Sequence, residues 1–112
     1  MVYYAGHGIA VNGGQVYTTR YFQGRIERCT GGSCAAAVSD ATPIGVAFAG
    51  SRAYYAGLNS NYVKVCALDA AGSFTGCAAT GGGYNQPMGM VANGSRMYIT
   101  NFAGGYVTVC SI

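Results

Sequence analysis

The sequence predicts an all-β fold of repeated antiparallel sheets, and two observations lead to this prediction. The first is a spaced pattern in which one glycine is followed by a second glycine at +5, a tyrosine at +9 and a cysteine at +21. It occurs three times without a gap, beginning at Gly8, Gly45 and Gly89. The second is the composition: 19 Gly, 10 Tyr and only 8% charged residues are typical of tight turns and half-buried aromatic strands. The length of 112 residues suits one small domain, residues 1–112.

Each copy of the pattern contains three recognisable strands. The innermost, strand A, is predicted where both faces of a short run are apolar, at "GIAVN", "GVAFA" and "GMVAN". The glycine at +5 supplies a turn, because glycine adopts positive φ at little cost, and leads into strand B at "VYTTRY", "AYYAGL" and "MYITNF". Strand C follows at "GRIERC", "YVKVCAL" and "YVTVCSI". Its residue at +19 is polar, which places strand C nearer the solvent than strand A.

The repeat lengths of 37 and 44 residues are close to the spacing of β-propeller blades, each a four-stranded antiparallel sheet. We therefore predict three blades, approximately residues 8–42, 43–86 and 87–112. A fourth strand, D, is expected after the hairpins "CTGGSC" and "CALDAAGSFTGC" in the first two blades. The third blade is incomplete, because the sequence ends at Ile112 before its strand D.

The cysteines at these hairpins are expected to form disulfides, because directly opposed residues on paired strands approach closely. The alternatives are buried thiols and a zinc site, which is disfavoured because His7 is the only imidazole and the hairpins of different blades point apart. Disulfides imply an oxidising, extracytoplasmic location, whether periplasmic, cell-surface or secreted. The expected pairs are Cys29 with Cys34 and Cys66 with Cys77, and Cys110 is expected to be a free thiol.

The second and third copies share a longer motif, P-x-G-(apolar)-A-x-x-G-x-x-x-Y, in which the third copy has Val91 in place of the alanine. It is followed by V-x-V-C and, in the second copy, by a later G-C. This motif resembles bacterial propeller repeats of the NHL and "YVTN" type, and the resemblance covers almost the whole chain. It implies the propeller architecture but no single activity, since one fold hosts many functions. The residues that carry it are Pro43, Gly45, Gly50, Tyr54, Val63, Val65, Cys66 and Cys77, and Pro87, Gly89, Gly94, Tyr98, Thr100, Asn101, Val107, Val109 and Cys110.

Three blades are too few to close a ring of the usual four to eight. We expect a homodimer, in which two chains related by a twofold axis form six blades, because closure buries the terminal sheets. The alternative is a longer parent chain that supplies the missing blades. The absent strand D leaves an open edge, beside which a displaced N-terminal strand containing Tyr3 and Tyr4 could pair.

The loops between strands B and C and between D and A are expected on one face of the ring, and we predict ligand binding there. Aromatic rings beside amide and guanidinium groups suit a glycan or a peptide. The alternative is that the aromatic rings pack between blades and the asparagines hold turns. The predicted ligand-binding residues are Tyr3, Tyr4, His7, Arg20, Tyr21, Phe22, Asn59, Asn61, Tyr84, Gln86, Asn101 and Phe102.

No catalytic residue, metal site or cofactor is predicted. The resemblance includes lactonases and streptogramin lyases, which use metal ligands or a general base at the mouth of the channel. Here Glu27 is expected in an exposed ion pair with Arg25 and Arg28, and Asp40 and Asp69 are expected on opposite faces. We therefore predict a non-catalytic binding or scaffolding module. The alternatives are a piece of a larger propeller enzyme and a structural subunit of a surface assembly.

Charge and hydropathy exclude two further classes. A net charge of +3 without a dense basic cluster is too little for nucleic-acid binding. No apolar run approaches the roughly 20 residues that span a bilayer. The N-terminal "MVYYAGHG" lacks the features of a signal peptide, so we expect that a signal has been removed or that the sequence starts partway through a gene.

Overall fold

A computed structural model describes residues 7–112. This part of the chain forms eleven strands in three antiparallel sheets, and its only helix is a single 3-10 turn at Tyr21–Gln23. The all-β prediction is therefore confirmed. Sheet 1 contains β1 (Ile9–Asn12), β2 (Gln15–Arg20), β3 (Arg25–Thr30) and β4 (Ser33–Ser39). Sheet 2 contains β5 (Pro43–Ala49), β6 (Arg52–Gly57), β7 (Tyr62–Leu68) and β8 (Phe74–Ala79). Sheet 3 contains β9 (Pro87–Asn93), β10 (Arg96–Asn101) and β11 (Tyr106–Ser111).

Within each sheet the strands are neighbours in chain order, as expected of strands joined by hairpins. The predicted strands A to D correspond to β1–β4 and β5–β8, and strands A to C correspond to β9–β11. The turns between strands A and B contain the glycines at +5, Gly13, Gly50 and Gly94, whose φ values are 58°, 59° and 61°. This left-handed conformation explains why glycine recurs at that position.

Two apolar cores separate the three sheets. Sheets 1 and 2 enclose the first core. In it, the centroid of the Tyr17 ring is 4.7 Å from that of Phe48 and 5.6 Å from that of Phe74. Sheets 2 and 3 enclose the second, which includes Tyr54, Val63, Met97 and Ile99. Sheet 2 is therefore covered on both faces, whereas sheets 1 and 3 each have a described neighbour on one face only.

The innermost strands of adjacent sheets approach closely at the first glycine of the repeat. A Cβ added at Gly8 would lie within 3.0 Å of the Ile44 carbonyl oxygen, and one added at Gly45 would lie equally close to the Met88 carbonyl oxygen. Real Cβ atoms do not come so near a carbonyl oxygen, so only glycine allows this spacing of the sheets. The first glycine of the repeat is thus required at the contact between adjacent sheets.

The expectation that strand C is more exposed than strand A is correct in sheet 2 but wrong in sheet 1. In β1 the side chains of Ile9 and Val11 are 66% and 70% exposed, whereas β3 buries Ile26, Glu27 and Cys29. Strand β1 lies at an edge of a sheet that has a described neighbour on one face only, so its alternate side chains remain uncovered. Residues at the same repeat position can therefore differ in solvent exposure, depending on whether a sheet packs against them.

Disulfide bonds join Cys29 to Cys34 and Cys66 to Cys77, as predicted. The first pair is directly opposed in the register of β3 and β4. Cys110 on β11 is free, and its Sγ is hydrogen-bonded to the Tyr84 hydroxyl at 3.0 Å. No strand within residues 7–112 pairs with the outer edge of β11. The predicted pairing of Tyr3 and Tyr4 beside that strand falls outside the described residues.

Candidate functional site

A cleft of about 360 Å³ opens where the innermost strands begin. Its walls are mainly backbone and apolar side chains, with one imidazole and no carboxylate, so it contains no paired acid and base. Within residues 7–112 no three His, Cys, Asp or Glu side chains are grouped to hold a metal ion. The lining residues are His7, Gly8, Ile9, Ile44, Gly45, Val46, Met88, Gly89 and Met90.

Four of the predicted ligand-binding residues form one cluster, which we call the aromatic cluster: His7, Tyr21, Phe22 and Asn59. Asn59 Nδ2 donates a hydrogen bond to the Tyr21 hydroxyl at 3.0 Å and so links the loops of sheets 1 and 2. The His7 and Phe22 rings contact the Tyr21 ring edge to face, at centroid distances of 6.0 Å and 5.0 Å. Phe22 is 88% exposed, which leaves its ring accessible to a ligand.

The predicted residues near sheet 3 have mainly structural contacts. Asn101 is buried: its Oδ1 accepts a hydrogen bond from the Asn85 backbone, and its Nδ2 donates to Thr108 Oγ1 at 2.9 Å. Asn61 Oδ1 accepts a hydrogen bond from the Gln86 backbone N–H at 2.8 Å. These bonds hold loops, as the alternative interpretation of the asparagines proposed. Phe102 differs from them, since it is 71% exposed beside a shallow cleft of about 330 Å³.

Tyr84 and Arg20 also make internal contacts. The Tyr84 hydroxyl is hydrogen-bonded to Thr80 Oγ1 at 2.7 Å, and burial together with the bond to Cys110 raises the pKa of Tyr84 to about 12. Arg20 Nη1 pairs with Glu27 Oε1 at 3.0 Å. Tyr3 and Tyr4 lie outside the described residues. Among the described residues of the predicted ligand surface, five are exposed: His7, Phe22, Asn59, Asn61 and Phe102. Of these, Asn61 is already engaged with the Gln86 backbone.

Glu27 corrects a prediction about charge. It is buried rather than exposed, and its two carboxylate oxygens accept hydrogen bonds from Arg20 and Arg25, the latter at 2.8 Å. Arg28 instead donates to Ser73 Oγ across to sheet 2. Burial alone would raise the pKa of Glu27, but the hydrogen bonds from Arg25 and Arg20 outweigh it and lower the pKa. The carboxylate is therefore held ionised by its neighbours and is not a general acid.

Asp40 joins the β4–β5 connection to sheet 2. Its Oδ2 accepts a hydrogen bond from the Tyr55 hydroxyl at 2.5 Å and pairs with Lys64 Nζ at 3.0 Å. Burial raises the pKa of Asp40, but the hydrogen bonds from Tyr55, Tyr62 and Lys64 outweigh it and lower the pKa to about 2. Burial and the neighbouring carboxylate together raise the pKa of Tyr55 above its usual range. Asp69 lies elsewhere, where its Oδ1 accepts backbone bonds in the β7–β8 turn.

The outer face of sheet 3 is apolar and exposed. Val91 and Val109 both oppose Tyr98 in the register of the sheet, and Val91 is 61% exposed. At the same repeat positions as Val91, Tyr98 and Val107, sheet 1 has Ala10, Tyr17 and Ile26, which pack in the core against sheet 2. Sheet 2 has Ala47, Tyr54 and Val63 there, which are buried against sheet 3. We call Val91, Tyr98, Val107 and Val109 the third-sheet face.

The outer face of sheet 1 is the complementary case. Ile9 and Val11 are exposed, and we call them the first-sheet face. At the same repeat positions, Val46 and Phe48 of sheet 2 pack in the core toward sheet 1. Met90 and Ala92 of sheet 3 likewise pack in the core toward sheet 2. Sheets 1 and 2 pack together, and sheets 2 and 3 pack together in the same way. The exposed first-sheet face and third-sheet face correspond to the two surfaces that meet in each of these contacts.

The residues of the first-sheet and third-sheet faces were not among the site residues predicted from the sequence, because the repeat pattern does not show which sheets lack a described neighbour on one face. Comparison with known proteins adds no assignment: no protein-family model matches the chain, and no curated protein matches it. In the described residues no helix is long and apolar enough to cross a membrane.

Proposed function

We propose that the chain is a non-catalytic binding and scaffolding module, two copies of which close a six-bladed β-propeller of the NHL or "YVTN" type. The observation that carries this proposal is the exposure of the two end faces. Apolar side chains occupy positions that are buried or partly buried where a neighbouring sheet is present. Their burial would stabilise an assembled ring. A second copy supplies the complementary face at both ends.

The ligand in this proposal is a glycan or a peptide bound at the aromatic cluster and Phe102. Exposed Phe22 and Phe102 offer apolar ring faces, and the amide of Asn59 offers hydrogen bonds beside them. In this proposal the sheets form the ring and the loops contact the ligand. The two surfaces adjoin beside Phe102, because Thr100 and Val107 line the same cleft. The two hairpin disulfides support an extracytoplasmic location, because disulfides persist in oxidising compartments.

A charge-swap experiment tests closure through the end faces. Val91→Glu places an acid on the third-sheet face, and Val11→Lys places a base on the first-sheet face. Both side chains are exposed in the single chain, so each variant should fold. Each variant alone should dissociate about tenfold more readily or worse, because each of the two junctions would bury one unpaired charge. An equimolar mixture should recover the dimer, since one junction pairs Glu with Lys and the other is unchanged.

Sedimentation velocity of each variant and of the mixture measures this effect. Phe22→Glu is the matched control, because it adds a charge to an exposed apolar site outside both faces, and it should remain dimeric. A mixture that stays monomeric, or a Val11→Lys variant that dimerises like the original chain, would refute closure through these faces.

A further inference from the structure

We infer that the junction between two copies has a defined register, in which Gly89 and Thr100 of one copy contact the backbone carbonyl of His7 of a second copy. This inference rests on the proposed two-copy ring and specifies how its ends meet. It follows from two contacts that the chain already makes between its own sheets, each at the first glycine of the repeat.

The first contact is steric. Gly8 lies against the carbonyl of Ile44, and Gly45 lies against the carbonyl of Met88. In both cases the carbonyl belongs to the residue just before the first glycine of the next repeat. At Gly89 the only described atom near an added Cβ is Thr100 Oγ1, at 3.1 Å. Within the single chain, therefore, no backbone contact requires glycine at this third position, although the repeat places glycine there.

The second contact is a hydrogen bond. Thr19 Oγ1 accepts a bond from the Gly8 backbone N–H at 2.8 Å and donates to the Ile44 carbonyl of the next sheet at 3.2 Å. Thr100 occupies the same repeat position, and its Oγ1 accepts from the Gly89 backbone N–H, also at 2.8 Å. Thr19 is fully buried, whereas Thr100 is exposed. Thr100 thus makes the same bond within its sheet as Thr19 does. Among the described residues, what it lacks is the backbone carbonyl of a following sheet to which its hydroxyl could donate, as Thr19 donates to Ile44.

The second copy provides that carbonyl. The residue before the first glycine of the first repeat is His7, which lines the cleft beside Gly8. Ile9 and Val11 follow it and would meet the third-sheet face, as Val46 and Phe48 meet sheet 1. This continuity with two existing junctions favours a second copy of the chain as the occupant.

Charged side chains lie near this junction on both sheets. The four side chains of the third-sheet face are uncharged, but Arg96 is exposed on β10 two residues before Tyr98, so strand alternation places it on the same side of sheet 3. Glu27, at +19 on the side of sheet 1 that would be covered, is neutralised by Arg20 and Arg25 within its own sheet. Lys64 occupies the same repeat position in sheet 2 and is paired with Asp40. Covering sheet 1 would therefore bury an ion-paired carboxylate, as the chain already does at Asp40, but with one guanidinium group in excess.

Gly89→Ala is the decisive variant. Among the described residues of the single chain, a Cβ at this position meets only the side chain of Thr100, whose Oγ1 is 3.1 Å away and has to shift slightly. In the ring it would also meet the His7 backbone carbonyl of the second copy, so the dimer dissociation constant should rise about tenfold or more. Thr100→Val removes the hydroxyl and should weaken the dimer by a similar factor, whereas Thr100→Ser keeps the hydroxyl and should restore most of the affinity. Gly81→Ala is the matched control, since an added Cβ meets nothing within 4 Å there.

The dissociation constants are measured by sedimentation equilibrium, and circular dichroism at high dilution verifies that each variant is folded. If the original chain and Gly89→Ala dimerise equally, the register is wrong while the ring survives. If the original chain is monomeric at all concentrations, the ring itself is wrong. If it forms open polymers that Gly89→Ala disrupts, the register is supported and two-copy closure is refuted.

Discussion

Replacing Gly45 by alanine is expected to lower the free energy of unfolding by about 3 kcal/mol. The added methyl group would lie within 3.0 Å of the Met88 carbonyl oxygen. A backbone carbonyl cannot turn aside as a flexible side chain can, so sheets 2 and 3 would have to separate. Separation would loosen the second core, which includes Tyr54, Met97 and Ile99. Urea unfolding followed by circular dichroism measures the loss.

Gly89→Ala is the matched control for this prediction, because it makes the same chemical change at the same repeat position. In a solution dilute enough to keep the chains monomeric, it should lose much less stability than Gly45→Ala, because among the described residues the added Cβ meets only the Thr100 side chain, at 3.1 Å from Oγ1. Equal losses of unfolding free energy in the two variants would show that glycine is required by the conformation of the strand itself and not by the contact between sheets. No loss at Gly45 would contradict the packing of β5 against β9.

The stability of the chain is expected to fall by about 2 kcal/mol as the pH decreases from about 5 to about 2, through protonation of Asp40. Its folded pKa of about 2 lies below the ordinary aspartate pKa of 3.8, so its contribution to stability is complete above the unfolded pKa. The contribution is lost as the pH falls through the folded pKa. Asp40→Asn should remove this pH-dependent part and should destabilise the chain mainly near neutral pH, where the ion pair with Lys64 is present.

Urea midpoints at a series of pH values test this prediction. Tyr55→Phe removes one hydrogen-bond donor to Asp40 and should reduce the slope without abolishing it, because the Lys64 pair remains. Identical pH profiles for the original chain and Asp40→Asn would mean that Asp40 does not link the β4–β5 connection to sheet 2.

The strands were predictable from the sequence because their signals are local. A glycine with positive φ marks each turn between strands A and B, and apolar runs mark the innermost strands. The disulfides were predictable for the same reason, since each pair closes a single hairpin. In these cases the structure-determining contacts lie close together in the chain.

Burial and partners between sheets were not predictable, because they depend on what lies across the fold. Ile9 and Val46 occupy the same repeat position, yet Ile9 is exposed and Val46 is in a core. Glu27 was expected with Arg25 and Arg28. It does bond to Arg25, but its second partner is Arg20, which the register places opposite Arg25. The ion pair between Asp40 and Lys64 joins the β4–β5 connection to β7, and the repeat pattern contains no signal for it.

The candidate ligand surface was predicted in part. Polarity alone could not separate Asn101, whose hydrogen bonds are made within the fold, from Asn59, which lies at an exposed loop. Exposure of aromatic rings makes that distinction, and it leaves Phe22 and Phe102 as the rings most accessible to a ligand. Their role in binding remains a prediction.

The molar mass in solution, measured by light scattering over a dilution series, tests closure by two copies most directly. Cys110→Ser should be measured beside the original chain, because the free thiol could join two chains covalently. We predict a mass of twice the 11.4 kDa of one chain for both proteins, with dissociation only at high dilution. A mass of one chain at every concentration, or a dimer that disappears in Cys110→Ser, would contradict a ring closed through the end faces.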